Sequence, residues 1–532
     1  MADYDYIIAG GGTAGCILAN RLTENGKFRV LLLEAGGEAR SMWISIPAGF
    51  SKLLVDPNFN WRFQTEPEEN VHGRVIAVPR GKGLGGSTLI NGMIYVRGIP
   101  QDYDGWADAG ATGWGWAEVE QVFRRLEHYE AGGPARGQQG PMWLEAVSER
   151  YPISDALLQA ARQDGQPLNP DYNSGQPQEG FGYYQVVQRQ GRRWTVVDGY
   201  LRPAMGRPNL TVVTEGTVQR LVFEGTRCTG LIYRHAGQEH AVLAGRETVL
   251  ALGAIQSPQM LELSGVGDPA LLARHGIPLV LAQPQVGENY IEHFATRMNW
   301  RVKNTVTLNE MSRGWRLAAQ VARYYMRRKG ILTLGTGLVH GFVKSTPEQP
   351  LADVQYFFVH ASYANAAERI LDHLPGMTIG VAQLRPESVG SIHIQSADLG
   401  RQPAIRPNLL SVQVDRDSLI GGMRAARRIV EQPAMQAYID SELSPGTKVQ
   451  SDEEWLDFAR RNGQTIYHPI GTCRMGADAA AVTDPRLRVK GLQGLRVVDA
   501  SVMPRMVSGN TQAAVMMVAE RGAEMILQDA AA

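Results

Sequence analysis

Cysteine is scarce in this chain: Cys16, Cys228 and Cys473 are the only three in 532 residues, and none has metal-ligand spacing. That excludes a disulfide framework and points to a reducing compartment. Neither sign of charge is in excess. The 53 Lys+Arg balance 53 Asp+Glu, so no global field draws the protein to nucleic acid or acidic membranes. Two basic clusters, 323–329 and 424–428, lie at helical spacing and read as solvated faces. No apolar run approaches the ~18–20 residues a membrane span needs. The first strand starts within a few residues of Met1, leaving no room for a signal peptide, and a cytoplasmic protein is expected. Glycine, by contrast, is plentiful at 59 residues, which fits a loop-rich enzyme whose backbone approaches a large ligand. The length allows two to four domains, and no tandem repeat is visible.

The N-terminus organises the chain. Tyr4, Tyr6, Ile7 and Ile8 read as a buried strand running into Gly10-Gly11-Gly12-Thr13-Ala14-Gly15. Small and apolar residues follow at helical spacing, and Val30-Leu31-Leu32-Leu33 forms a second strand ending on Glu34 and Ala35. This is a βαβ unit with G-x-G-x-x-G at the first turn and an acid roughly twenty residues on. Gly10 allows the tight turn, Gly12 admits a pyrophosphate close to the backbone, and Gly15 lets helix pack on strand. The helix N-terminus holds phosphates through free N–H groups and its dipole. Glu34 can accept hydrogen bonds from ribose hydroxyls and would repel a 2′-phosphate, which disfavours NADP. The motif alone leaves NAD and FAD both open.

Further along, 79–93 is glycine-dense and can wrap N–H groups around phosphates or a planar ring. Strand patterns recur over 208–252, with 240–243 and 247–252 as separate strands, and a helix is expected over 258–263. Composition shifts near Met298. A basic helix over 313–328, strands at 354–360, 377–384 and 391–395, and a helix over 418–431 suggest a second domain. A helix at 452–463, a strand at 495–499 and a closing helix at 511–527 complete the chain.

Four ordered blocks carry a family likeness: the N-terminal fingerprint, 81–104, 253–267, and a C-terminal pair. The pair comprises His468-Pro469-Ile470-Gly471-Thr472-Cys473-Arg474-Met475-Gly476 and Asp499-Ala500-Ser501-Val502-Met503-Pro504 with Asn510-Thr511-Gln512. On these the chain resembles the glucose-methanol-choline (GMC) oxidoreductases, FAD-dependent alcohol dehydrogenases and oxidases, over nearly its whole length. The resemblance implies an α/β (α+β) fold: a Rossmann-like FAD-binding domain of discontinuous segments plus a substrate domain of antiparallel sheet and helices. It divides the chain into 1–297 for FAD, with cofactor-covering loops and an inserted 131–200 segment, 298–450 for substrate, and 451–532 returning to the FAD domain with the catalytic residues. Besides the fingerprint residues, it implies FAD contacts at Arg80, Gly85, Gly86, Ser87, Asn91, Gly92, Met93, Val218, Ala251, Gly253, Ser257, Tyr467, Asp499, Ala500, Asn510, Thr511 and Gln512.

Oxidising an alcohol removes a proton from oxygen and a hydride from carbon. Flavin N5 can take the hydride, and histidine is the natural base near neutral pH. Of 11 histidines, His468 lies between Tyr467 and Pro469 in a segment with few solvating charges, and it matches the family's catalytic His. Asn510 stands where relatives carry His or Asn; its amide can donate to the developing alkoxide, although Asn is also a preferred helix cap. Thr511 and Gln512 would offer backbone N–H groups at a helix start aimed at the flavin. Ile90 stands where covalently flavinylated members carry His, so dissociable FAD is expected. Choline-specific members place an acid where Leu338 stands, which weighs against choline. Trp61, Leu338, His340, Phe358, Ile466 and Tyr467 are the candidate substrate pocket, and aromatic, aliphatic and polyol alcohols all remain open. The expected partners are an alcohol and either O2 or a quinone- or dye-type acceptor, with no nucleic acid and no membrane span, in a monomer or small homo-oligomer. A lyase that keeps FAD structurally and a non-catalytic flavoprotein are the rivals.

Overall fold

The structure is a computed structural model that describes residues 2–365 and 370–531. Two seven-stranded sheets dominate it. In the first, Leu210–Val213, Val30–Leu33, Tyr4–Ala9, Gln238–Leu250 and Leu495–Val497 lie parallel. Every residue of Val30–Leu33 is buried, as in strands covered on both faces. The helix Thr13–Thr23 covers one face and packs against the closing helix Gln512–Ala531. Arg21 and the hydroxyl of Tyr200 converge there on Glu520, at 2.9 and 2.6 Å. The last helix is thereby tied to the first.

Two local expectations change. The strands 240–243 and 247–252 are one strand, Gln238–Leu250: its first half pairs antiparallel with Arg227–His235, its second half parallel with Tyr4–Ala9. The first half has one face in solvent while the last three residues are buried, so the alternation breaks without a chain break. The helix expected to open at Pro258 begins at Gly253 and runs to Leu263 with Pro258 inside. An interior proline leaves the carbonyl four residues back without its N–H. That carbonyl, on Ala254, accepts the Thr472 hydroxyl at 2.7 Å, so a residue of the C-terminal block repairs the helix.

The second sheet is antiparallel, in the order Ile439–Ser444, Phe294–Val302, Gly376–Gln383, Val354–Val359, Val339–Val343, Gly180–Tyr183. Gln413–Val430 and Pro152–Gln163 join its buried core. In Val354–Val359 the side chains alternate: Tyr356 and Phe358 enter that core, while Phe357 and Val359 point to a cavity. The basic residues at 424–428 are not simply a solvated face, because Arg427 is buried, pairs with Glu442 at 2.7 Å and stacks 4.2 Å over Trp455.

Candidate active site

A cavity of about 600 Å³ runs from the first sheet to the second, lined by Gly10, Gly12, Thr13, Ala14, Glu34 and Ala35 at one end and His468 and Asn510 at the other. Its first half is built of backbone. Gly10, at φ +105°, turns so tightly that a Cβ would lie 2.5 Å from the Ala251 carbonyl oxygen. Gly86, at φ +51°, lies against Gly12, where a Cβ would come within 2.7 Å of its Cα. These close approaches leave a smooth groove past the N-terminus of Thr13–Thr23, the cradle a pyrophosphate needs.

Most of the expected cofactor residues line the cavity: Arg80, Gly86, Ser87, Asn91, Gly92, Met93, Val218, Ala251, Gly253, Tyr467, Asp499, Ala500, Thr511 and Gln512. Gly15, Gly85 and Ser257 do not; they act one layer back. A Cβ on Gly15 would fall 1.8 Å from the Gly10 carbonyl oxygen, Gly85 donates its N–H to Gly11 at 2.8 Å, and the Ser257 hydroxyl bonds Asp499 at 2.5 Å. Glu34 also works on the fold. Its carboxylate accepts the N–H groups of Gly11, Gly36 and Gly83 at 2.8–3.0 Å, knotting three glycine turns. Burial still raises its pKa, which those bonds oppose.

The other half is built of side chains. Two buried histidines meet Nδ1 to Nδ1 at 3.0 Å, His293 and His468. Their tautomers follow from their partners. His293 Nε2 lies 3.0 Å from the Leu384 carbonyl, which only accepts, so Nε2 carries the proton. Burial pulls the His293 pKa down to about 4, so the ring is neutral and its Nδ1 is an acceptor. His468 Nδ1 therefore donates, and its Nε2 presents a lone pair to the cavity. Burial, then His293 and Arg80, hold the His468 pKa well below its ordinary value. The ring is a free base at neutral pH.

Asn510 Nδ2 lies 3.3 Å from His468 Nε2. Its Oδ1 accepts from Gln355 Nε2 at 3.2 Å, which fixes the amide with its donor toward the histidine. The side chain is thus not spent on capping; the closing helix begins two residues later, at Gln512. Tyr467 is held at φ +71°, a conformation a bulky residue resists. Arg80 holds its carbonyl, and Glu292 accepts the next N–H, that of His468, at 2.6 Å. The same Glu292 oxygen takes the His293 N–H at 2.9 Å. One buried carboxyl group thus positions both histidines.

Comparisons with known proteins identify the family. The GMC oxidoreductase family matches as two models, over residues 4–295 and 386–519. The chain belongs to the GMC oxidoreductases. An alcohol dehydrogenase [acceptor] of Pseudomonas putida is 39% identical over 99% of this chain and 96% of its own. The mitochondrial choline dehydrogenase of Homo sapiens is 38% identical over 98% and 90%. Among solved structures, pyridoxine 4-oxidase from Mesorbium loti superposes with TM-score 0.90 at 31% identity, over 98% of this chain and 99% of that one. A formate oxidase of Aspergillus oryzae, described for FAD modification, gives TM-score 0.92 at 27% identity, over 99% and 98%. This GMC protein is an FAD-dependent oxidoreductase acting on CH–OH donors.

Of the residues expected in its substrate pocket, Trp61, Ile466 and Tyr467 line the cavity. Leu338, His340 and Phe358 do not. Leu338 and Phe358 are core residues of the second sheet. His340 is one strand too far: it is covered by Tyr172 and Tyr184, with ring centroids at 4.4 and 5.5 Å, and burial drops its pKa to about 3. Phe357, Val359, Tyr363, Thr296, Arg297 and Thr378 take their place on the wall. Glu292, His293 and Gln355 were not singled out from sequence. The one signal was an acid and a histidine side by side before the buried strand Phe294–Val302. Arg193 was missed too. It is buried, has no carboxylate partner among the described residues, donates to Asn91 Oδ1 at 2.6 Å, and has its pKa pulled down to about 9 by burial.

Proposed function

We propose that this protein oxidises a neutral, largely apolar primary alcohol to the aldehyde, with His468 as the base. The observation that carries this is the histidine relay. A neutral His293, anchored on the Leu384 carbonyl, accepts from His468 Nδ1 and leaves the Nε2 lone pair as an acceptor facing the Asn510 amide and the cavity. FAD, when bound, supplies the hydride acceptor. His468 Nε2 takes the hydroxyl proton, and Asn510 Nδ2–H donates to the oxygen as its charge grows. His293 holds the ring in the tautomer that can accept, while Phe357, Val359 and Ile466 keep water from the reacting carbon.

The glycine groove, the helix N-terminus and a cavity lined by both Glu34 and His468 support a bound dinucleotide, read here as FAD. Non-covalent attachment is supported by Ile90, which lines the cavity with no nucleophilic atom. Reoxidation by O2 or a quinone-type acceptor, and the division 1–297, 298–450, 451–532, belong to the same reading. Against a quaternary ammonium stands the charge of the wall. Arg80 and Lys82 line it, and among the described residues its carboxylates are Glu34 and Asp499, both bonded within the fold, and the exposed Asp398. The test is anaerobic mixing with aryl, alkyl, amino and sugar alcohols while the oxidised-flavin band is followed. Bleaching by alkyl or aryl alcohols is expected, and recovery in air sorts oxidase from dehydrogenase. A flavin that no alcohol bleaches would overturn the reading in favour of a lyase.

A further inference from the structure

The helix Gly314–Arg327 lies inside out on the surface. Its polar side faces the protein. Gln320 accepts the Ile331 N–H at 3.2 Å, Arg323 pairs with Glu149 at 3.1 Å, Arg316 pairs with Glu310 at 3.3 Å, and Tyr324 is its one buried residue. Its apolar side faces solvent. Trp315, Ala318, Ala319, Ala322, Tyr325 and Met326 fall on one stripe about 120° wide at the helical period. Trp315 is 78%, Tyr325 53% and Met326 75% exposed. Near the start of the helix Ile370 and Leu374 are likewise 50% and 57% exposed, on a segment whose Leu371 and Asp372 carbonyls accept from Arg313, the residue before the helix.

Scattered exposed apolar residues need no explanation, but a contiguous stripe of Trp, Tyr and Met does. The border beside it carries positive charge. The helix contains no acid; Arg316 and Arg323 on that border are paired with Glu310 and Glu149, and Arg327, with Lys329 just beyond the end, adds cations to it. A second copy docked here about a two-fold axis would set these cations against their own kind. An anionic bilayer satisfies both features: the stripe enters the boundary between headgroups and acyl chains, and the cations meet lipid phosphates. The whole chain balances 53 cations with 53 anions, so net charge does not supply such attraction and the local basic border must.

We infer that this face docks the protein peripherally on an anionic lipid bilayer. Both flanks of the patch lead to the cavity wall. The chain leaving the helix reaches Thr336, against Gly92, and Tyr363 on the other flank pairs with Leu371 and lines the cavity. An apolar substrate or a quinone dissolved in the bilayer would thus meet the protein near its site. The inference does not depend on which alcohol is oxidised.

The test sediments FAD-loaded protein with vesicles of phosphatidylcholine alone and of phosphatidylcholine with phosphatidylglycerol, at low and high salt. Binding to the anionic vesicles alone is expected, weakened by salt, with a blue shift of tryptophan emission that W315F removes. The surface variant W315S/Y325S/M326S should keep its FAD and its turnover with a soluble dye, yet partition at least about tenfold more weakly. R327Q/K329Q should lose several-fold on anionic vesicles. Three results would overturn the proposal: no binding to either vesicle, undiminished binding of the triple variant, or a concentration-dependent dimer that the triple variant abolishes. The last would mean that a second copy covers the face.

Discussion

The two ends of the cavity are made of different material. The glycine end is backbone: close approaches between Gly10 and Ala251, and between Gly86 and Gly12, with Glu34 tying three turns together. The histidine end is side chain. His293, His468, Glu292, Asn510 and Gln355 come from four separate stretches of chain and hold one another by hydrogen bonds. The first kind of site tolerates no added atom. The second tolerates substitution but pays in chemistry. Cofactor retention and catalysis should therefore separate cleanly between the two ends.

The sharpest way to break that contrast is Gly15→Ala. Its methyl would fall 1.8 Å from the Gly10 carbonyl oxygen, a backbone atom that cannot swing away. The variant should purify colourless or fail to fold, and a yellow, stable protein would show that the backbone end is more forgiving than this. At the other end, His468→Ala should keep its FAD while flavin reduction slows by ~10²–10⁴-fold in stopped flow. An unchanged rate would remove His468 from the reaction.

His293→Ala should cost less, about tenfold in the same assay, because it perturbs the base rather than deleting it. Its diagnostic is the pH profile. A base with a depressed pKa stays unprotonated as pH falls through 6.5, so the native rate should hold there and fail only in stronger acid. Without His293 the His468 Nδ1–H loses its acceptor, and the acid limb should move from its native position. A limb that stays put would leave His293 a packing residue only.

Smaller effects distinguish neighbours on one strand. Phe357→Ala should raise KM for apolar alcohols with modest loss of stability. Phe358→Ala should spare KM and lower thermal stability by ~3–5 kcal/mol, as for a core aromatic. Equal effects on KM would mean that the alternation does not divide cavity from core. The smallest effect concerns Glu292, whose pKa burial pushes from 4.5 up to about 8. The folded protein holds that proton more tightly than the unfolded chain, so stability should decline as pH rises between those values. Glu292→Gln keeps an acceptor oxygen for both backbone N–H groups and should flatten the decline in denaturant titrations. An unaltered slope would assign the decline to other groups.

What could be read from the linear chain follows this division. Gly10, Gly12, Gly15 and Glu34 were legible because a phosphate cradle is local: the turn, the helix start and the acid lie within one βαβ unit, so spacing in sequence is spacing in space. His468 and Asn510 were legible only through the family resemblance, since nothing near them in sequence marks a base or a donor. Leu338, His340 and Phe358 were misplaced because residue type does not say which face of a strand meets the cavity, nor how far across a sheet a strand lies. The Pro258 helix was shortened for a similar reason. A proline ends a helix unless something distant answers the freed carbonyl, and Thr472 does.

The sequence by itself therefore pointed to a glycine-lined dinucleotide groove, an α/β architecture and, by resemblance, the candidate pair His468 and Asn510. Tertiary structure alone decided the proton's position on His468, the acids and amides that hold it, the wall facing the substrate and the apolar stripe left in solvent. The physical reason is range. A backbone cradle is specified by neighbours along the chain, whereas a tautomer, a buried pKa and an exposed face are set by groups that meet only after the chain has folded.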